Sequence, residues 1–282
     1  MDKVITLNQL FIYPVKSLKG IELDESVVTE KGLLYDRHWM IVNPKGMFIT
    51  QRQFPQMALL STHINNDYLV IANQQSGQSI EVPLVPTKPL PKCEATVWKN
   101  KCQVLQECDD VGRWLSEQLK TPWPVRLVRM AEGFTRQVEQ SEKFGVGDHF
   151  VETQFADGFP FLIANQASLD ELNRHLDIPV PMNRFRPNMV IEGLEPFEEH
   201  RIKSLVNESI RFDLRYPCER CIVTTVDQKL GTKHPLQEPL KTLIKLNPMP
   251  NNNNAAAFAE NATVTINDLC RLNKGAQFRL IT

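Results

Sequence analysis

Tyr216-Pro217-Cys218-Glu219-Arg220-Cys221-Ile222-Val223-Thr224-Thr225-Val226-Asp227 sets two thiols three positions apart, beside an arginine, at the mouth of an apolar β-branched run. The run Ile222–Val226 reads as a strand, because β-branched side chains suit a pleated surface. A thiolate is a soft ligand for a transition metal, and a neighbouring guanidinium favours its ionised form. The segment therefore points to metal or redox chemistry without saying which kind. A structural zinc site calls for four ligands, commonly as two close pairs. The chain has no second C-x-x-C, and its 6 histidines show no paired ligand spacing. A thioredoxin-like dithiol precedes a helix in a βαβ frame, whereas the residues after Cys221 propagate a strand. Two structural thiols in a turn are the plain alternative.

Working outward, the neighbourhood is rich in short strands. Met189-Val190-Ile191 and Ile210–Leu214 precede the thiols, while Ala262–Ile266 and Phe278–Ile281 follow them. Near the N-terminus, Leu10–Tyr13, Trp39–Val42 and Tyr68–Ala72 are divided by turn signals such as Asn43-Pro44-Lys45-Gly46 and Asn65-Asn66-Asp67. Val85–Pro91 carries three prolines, which lack the N–H a sheet needs, and reads as a connecting loop. Asp109–Leu119 has acidic residues at its start and one apolar face, so it predicts a helix; Pro122 and Pro124 end it, and Val125–Val128 restarts a strand. Ser168-Leu169-Asp170-Glu171 fits a capping box opening a second helix, closed by Pro179 and Pro181. The run from Pro248 through Asn251–Asn254 and three alanines is too polar and monotonous to pack, which predicts a mobile loop. The sum is a β-rich α+β protein of two barrel-like parts meeting near residues 125–150.

Length and charge narrow the function classes. A chain of 282 residues can bury a sizeable core as one domain or two. Its net charge of −1 draws it to neither nucleic acid nor an anionic membrane surface. No window nears the roughly 18 apolar residues of a membrane span, and Met1–Leu7 runs into strand-like sequence without a secretory pattern. The cytosol is the simplest address. There the 6 cysteines are expected to be reduced thiols, and only Cys218 and Cys221 form a close pair.

Three further segments carry donors. Phe11-Ile12-Tyr13-Pro14-Val15-Lys16-Ser17-Leu18-Lys19-Gly20 breaks a strand before two lysines and a serine, suited to an anion such as phosphate or to a solvated basic turn. Tyr35-Asp36-Arg37-His38-Trp39 sets an Asp–Arg pair ahead of a strand, where Arg37 either meets a ligand or simply pairs with Asp36. Asn183–Asn188 packs two arginines and two asparagines into a loop before a buried-looking strand. Upstream of it, Asp157 sits at a Gly158–Pro160 turn.

Taken in order, Tyr13–Ser17, Asp36–Trp39, Phe185-Arg186-Pro187-Asn188, Pro217–Cys221 and Thr224–Asp227 resemble the MOSC family, molybdenum-cofactor proteins related to the C-terminal part of molybdenum cofactor sulfurase. The amidoxime-reducing branch and its bacterial relatives look most similar, and the likeness covers nearly the whole chain. It implies an α+β, β-rich fold: an N-terminal β-barrel-like domain over residues 1–125, packed on a MOSC β-barrel domain over 126–282 with a few helices. It also implies that Cys221 is the protein ligand of molybdenum. Lys16, Ser17 and Arg37 then match positions holding the phosphate-bearing pterin, with Arg186, Asn188 and Thr224 contacting the cofactor from the second domain. The pterin dithiolene supplies the remaining sulfurs, so one protein thiolate suffices.

Two departures from the family pattern matter. Eukaryotic relatives carry a Thr-Ser pair where this chain has Gly158-Phe159, which removes any hydroxyl contact there. Some bacterial relatives add a C-terminal cysteine cluster, whereas Cys270 is the only late cysteine here; the expectation is no intrinsic iron–sulfur cluster and a separate electron-donor protein. The resemblance thus implies a molybdenum-dependent oxidoreductase that reduces N-hydroxylated substrates, an amidoxime or N-hydroxylated base. Asp157 is the candidate proton donor or relay, and that role calls for a pKa nearer neutrality than a solvated aspartate's. The competing readings are a non-catalytic carrier of molybdenum cofactor and an interaction protein with structural thiols.

Overall fold

The computed structural model describes residues 3–138, 151–268 and 270–282. Its largest sheet closes on itself. Strand Phe161–Asn165 pairs with Met189–Glu192, which pairs in turn with Val4–Ile12, Gln277–Ile281, Ser204–Val206, Ile210–Arg220 and Asn252–Ile266. The last of these returns to Phe161–Asn165. Closure leaves no free edge in that ring. Inside it Ile5, Leu7, Ile163, Phe212 and Phe278 are buried, with Phe161 and Phe212 packed edge to face at 5.1 Å between ring centroids. Each such side chain contributes about 1.5–3 kcal/mol on burial.

Smaller sheets cover the first half of the chain. Trp39–Val42, Arg126–Met130, Asn100–Gln106 and Lys92–Val97 form one; Leu60–Ile64, Tyr68–Asn73 and Ser79–Pro83 form another. Helix α1 (Asp109–Leu119) seals this half by burying Val111, Leu115 and Leu119 against Val15, Leu18 and Trp39. The fold is therefore β-rich, with three α-helices among the described residues: α1, α2 (Gln166–Arg174) and α3 (Leu240–Leu246). Pairing crosses residue 125 in both directions. Val4–Ile12 is a stave of the ring built mainly from the C-terminal half, and Arg126–Met130 pairs with Trp39–Val42. Residues 139–150 of the expected meeting region lie outside the described residues. No helix among those described is long and apolar enough to cross a membrane.

Three local expectations are corrected. Ile222–Thr225 is a 3-10 turn rather than a strand. The Thr224 hydroxyl donates to the Cys221 carbonyl at 3.0 Å and the Thr225 hydroxyl to the Ile222 carbonyl at 2.7 Å. These bonds satisfy the backbone locally, so it needs no strand partner. Pro248–Ala257 is no mobile loop. It is a hairpin: Met249 pairs with Asn252 around the Pro250-Asn251 turn, and Ala255–Ala257 enter the 15-residue strand Asn252–Ile266. Ala256 is buried on the face that α3 covers, with Leu243, while Ala255 and Ala257 are buried on the opposite face with Met249 and Tyr216. Finally, α2 starts earlier than the capping-box reading. Asn165 is its N-cap and accepts from the Ala167 N–H at 3.1 Å, while Ser168 Oγ is spent on the buried Glu199 carboxylate at 2.8 Å.

Candidate functional site

The thiol pair sits where strand Ile210–Arg220 ends and the 3-10 turn begins. Pairing with Asn252–Ile266 shifts register between Leu214 and Tyr216 and again between Pro217 and Glu219. Bulges re-aim side chains and tolerate a proline inside the strand. The outcome separates the two sulfurs. Cys218 is half-buried and its Sγ accepts from Arg220 Nη1 at 2.9 Å; burial pushes its thiol up against the pull of that guanidinium. Cys221 is exposed, and its nearest donor is Arg52 Nη1 at 3.9 Å. Both sulfurs line the same cleft, and Cys221 is the more exposed of the two.

Cys221 opens on a cleft between the two halves. Lys16, Arg37, Arg52, Arg186 and Arg220 line it, with Asp157 as the one carboxylate. Five cations against one anion, in a chain of net charge −1, make a local anion trap. Ser17, Arg37 and Arg186 reach it through left-handed backbone, at φ 69°, 48° and 57°. Such conformations cost of order 1–3 kcal/mol each and gather at binding sites. Their side chains are partly committed. The guanidinium carbons of Arg37 and Arg186 each lie 4.3 Å from the centroid of buried Tyr13. Burial pushes the Tyr13 phenol up to about 12, against the pull of both arginines. Arg37 pairs with Asp36 at 2.5 Å, and Arg186 donates to the Leu18 carbonyl at 2.8 Å. Burial brings Arg186 down to about 10.

The remaining residues marked in the sequence behave differently. Asn188 is 1% exposed and ties backbone together, donating to the Phe11 carbonyl and accepting from the Leu162 N–H, both at 3.2 Å. Thr224 lies off the cleft wall and holds the turn beneath Cys221. Asp157 departs from its expected protonation. Against the cost of partial desolvation, Lys16, Arg52 and Trp98 hold its carboxyl well below the usual carboxylate range. Its Oδ1 takes Lys16 Nζ at 2.5 Å and Trp98 Nε1 at 3.1 Å. It is an ionised group at neutral pH and has no proton to give. Lys16 is itself buried and lowered by that burial, and its Nζ also donates to the Phe155 carbonyl.

Arg52 and Trp98 were not legible beforehand. Gln51-Arg52-Gln53 and Trp98-Lys99-Asn100-Lys101 are local runs of donors, but nothing in them points to the thiols; each is delivered from a distant loop, and Arg52 lies with its Cζ 4.5 Å from the Trp98 ring centroid. The charged cleft is also small, about 120 Å³, whereas a cleft of about 600 Å³ beside α1 carries the single thiol of Cys108 with two arginines, and one of about 640 Å³ beside Val28–His38 holds no thiol. Volume and chemistry do not coincide in this molecule.

Residues 4–122 match the MOSC N-terminal beta barrel domain and residues 151–255 match the MOSC domain. The chain is similar to mitochondrial amidoxime reducing component 2 of Bos taurus, 32% identical over 254 residues that span 86% of this chain and 72% of the relative. This chain belongs to the MOSC family. Mitochondrial amidoxime-reducing component 1 of Homo sapiens is 33% identical over 257 residues, with the same coverage of 86% and 72%. Molybdenum cofactor sulfurase of Danio rerio is 33% identical over 256 residues, covering 84% of this MOSC chain but 30% of that protein. The charged cleft straddles both matched regions, since Lys16, Arg37 and Arg52 come from the first and Arg186, Arg220 and Cys221 from the second.

Proposed function

We propose that this MOSC protein binds molybdenum cofactor in the charged cleft and reduces N-hydroxylated compounds with electrons from a separate donor protein. The observation that carries the reading is the pairing of one exposed thiol, Cys221, with five surrounding cations in an otherwise near-neutral chain. A soft sulfur suits molybdenum, and guanidinium and ammonium groups suit a phosphorylated pterin. The Arg220 Nε fits too, being buried without a hydrogen-bond partner among the described residues while its two Nη atoms are engaged. A donor left unpaired in this way costs about 1–3 kcal/mol, which a ligand acceptor would recover. In volume the cleft, at about 120 Å³, is smaller than the roughly 300 Å³ of a cofactor pocket, so its walls, Arg52 beside Cys221 among them, must move apart on binding.

Bound there, the cofactor supplies the two-electron oxygen-transfer chemistry that side chains lack. The chain's own contributions are positional. Cys221, carried by a turn that the Thr224 hydroxyl locks, would hold the metal. Arg37 and Arg186, fixed against Tyr13, would hold the phosphate of a bound pterin, and Ser17 enters beside them on strained backbone. Cys218 stays a neutral thiol under Arg220, leaving the metal site a single protein sulfur. Lys16 keeps Asp157 charged and in place.

Cys221→Ser is the direct test. The parent, purified from cells that make the cofactor, is expected to carry near-stoichiometric molybdenum and pterin and to turn over N-hydroxylated substrates. The variant is expected to lose turnover by more than the 10–100-fold typical of removing an outer-shell partner of a metal. Parent protein with neither metal nor pterin rejects the reading. Metal and pterin without turnover, and with ready exchange, identify a carrier.

A further inference from the structure

The segment 228–237 leaves the turn that carries Cys221 and comes straight back to it. Backbone bonds tie it down: the Asp227 N–H donates to the Thr232 carbonyl at 2.7 Å, the Gly231 N–H to the Asp227 carbonyl at 2.8 Å and the His234 N–H to the Thr225 carbonyl at 2.9 Å. Asp227 Oδ1 accepts from the Lys229 and Leu230 N–H groups at 2.8 and 2.9 Å, and the buried Gln228 side chain donates to Gln51 at 3.0 Å. Gly231, at φ 65°, sits so close to the 3-10 turn Pro55–Leu59 that a side chain there would run into Leu59 and Gln56. The loop is ordered. Yet Leu230 and Leu236 are each 66% exposed. One exposed leucine is ordinary, and two on one short braced loop are not.

The same face continues across the turn Pro55–Leu59. Gly231 rests on Gln56, and exposed Trp123 packs edge to face on Phe54, just before that turn, at 6.0 Å. Val85 and Ile178 are more exposed still, but each stands beside a proline in a separate loop. Charge says what suits this face. Within 228–237 the ionisable residues are Lys229, Lys233 and His234, with no carboxylate. The carboxylates at either end are engaged, Asp227 with Arg184 at 2.8 Å and Glu238 with the Thr242 N–H at 3.0 Å. An apolar centre with a positive rim is complemented by an apolar patch ringed with carboxylates. Position says why it is there. Lys233 Nζ donates to the Arg52 carbonyl at 2.7 Å, and Arg52 Nη1 lies 3.9 Å from Cys221 Sγ. A protein seated on this loop stands one residue away from the thiol of the charged cleft.

We infer that residues 228–237 are the docking surface for the electron-donor protein, a redox protein whose contact face sets carboxylates around an apolar centre. Leu230 and Leu236 are the anchors, and Lys229 and Lys233 steer the approach. Turning N–OH into N–H and water takes two electrons and two protons; the docked donor supplies the electrons and solvent the protons. The identity of the partner rests on the proposed reductase reading.

The test drives benzamidoxime turnover by the cofactor-loaded protein in two ways. Reduced methyl viologen needs no docking. NADH or NADPH with an extract of the source cells, deleted for this chain, supplies the donor protein instead. In the double variant Leu230→Asp/Leu236→Asp the extract-driven rate, at limiting extract, is expected to fall by about tenfold or more, while the viologen-driven rate is unchanged. Lys229→Glu is expected to lower the extract-driven rate several-fold and to flatten its decline with rising salt, again without touching the viologen-driven rate. Equal extract-driven rates in the parent and both variants overturn the inference, as does a double variant that loses both rates alike. So does a parent that viologen drives and the extract does not. Equal extract-driven rates together with a parent dimer that the double variant breaks assign the face to a second copy of this chain instead. All of these failures leave the reductase reading standing, because viologen still drives the parent. A metal-loaded parent that viologen cannot drive rejects that reading, and the docked donor with it.

Discussion

Arg129 and Arg220 are both guanidinium groups lying over an aromatic ring, Trp39 at 5.2 Å and Phe185 at 5.8 Å to the centroids, yet they are wired differently. Arg129 is fully employed. Its Nε meets Glu107 Oε1 at 2.5 Å, and its Nη1 and Nη2 donate to the Leu84 and Pro83 carbonyls at 2.6 Å. Glu107 takes the Trp39 Nε1 as well, at 2.8 Å. Arg220 divides its Nη atoms between a sulfur and a carbonyl and leaves Nε buried without a partner among the described residues. A saturated buried network holds a fold together, whereas one with capacity left over beside an open cleft is waiting for a ligand. Charge alone does not separate the two, although Arg129 is buried and Arg220 only part-buried.

The contrast breaks most sharply by removing one partner from each network. Glu107→Ala leaves Arg129 and the Trp39 N–H buried and unpaired, and is expected to cost about 3–5 kcal/mol in urea unfolding. Cofactor content per folded molecule should not change. Arg220→Met removes a donor that was never fully satisfied, so its cost should stay below about 2 kcal/mol while cofactor retention falls. Equal stability losses would show that Arg220 belongs to the scaffold after all.

A titration sharpens the same comparison. His38 packs edge-on against Trp39 at 4.5 Å, and burial, with Arg129 beside it, brings its pKa from 6.5 to about 4. The neutral imidazole is the folded form, so the unfolded chain binds the extra proton between those values. Stability is therefore full above pH 6.5 and falls as the pH drops toward 4, by at most about 3 kcal/mol. His38→Gln is expected to flatten the unfolding profile across that window. A profile as steep in the variant as in the parent would assign the acid sensitivity elsewhere.

The sequence carried the strands well and the turns poorly. Trp39–Val42, Tyr68–Asn73 and Met189–Glu192 stand where apolar β-branched runs predict them, because burial of one or both faces is written in composition. Ile222–Thr225 has the same composition and folds as a 3-10 turn, since the decision rests on two hydroxyl bonds that no propensity encodes. A barrel was legible from the short strands, but the strand order that closes it was not, because it depends on Val4–Ile12 inserting between strands about 185 and 270 residues away in the chain. At the cleft, clusters of donors drew attention to Lys16, Arg37, Arg186 and Cys221, which the fold brings to one wall. Left-handed backbone at Ser17, Arg37 and Arg186, and the arrival of Arg52 and Trp98, are tertiary facts with no local signature.

The smallest effect is the most selective. If the cleft is an anion site before any cofactor arrives, the metal-free chain from cells unable to make the cofactor should bind pyrophosphate, a stand-in for a phosphorylated ligand. At about ten times the dissociation constant the gain is roughly 1.4 kcal/mol, or a rise near 3 °C in Tm for a chain of this size. Arg186→Gln is the informative partner, because burial already holds that guanidinium at about 10 and its removal relieves a desolvated charge. Unliganded stability should then move by less than about 1 kcal/mol, while the pyrophosphate shift falls by at least half. A Lys→Gln change at Lys101, whose ammonium pairs with Glu94 at the surface, should leave the shift untouched. Equal pyrophosphate shifts in the parent and the Arg186 variant would mean that the cations of the cleft are no more than counterweights to one another, and the distinction between the two arginine networks would fail where it matters most.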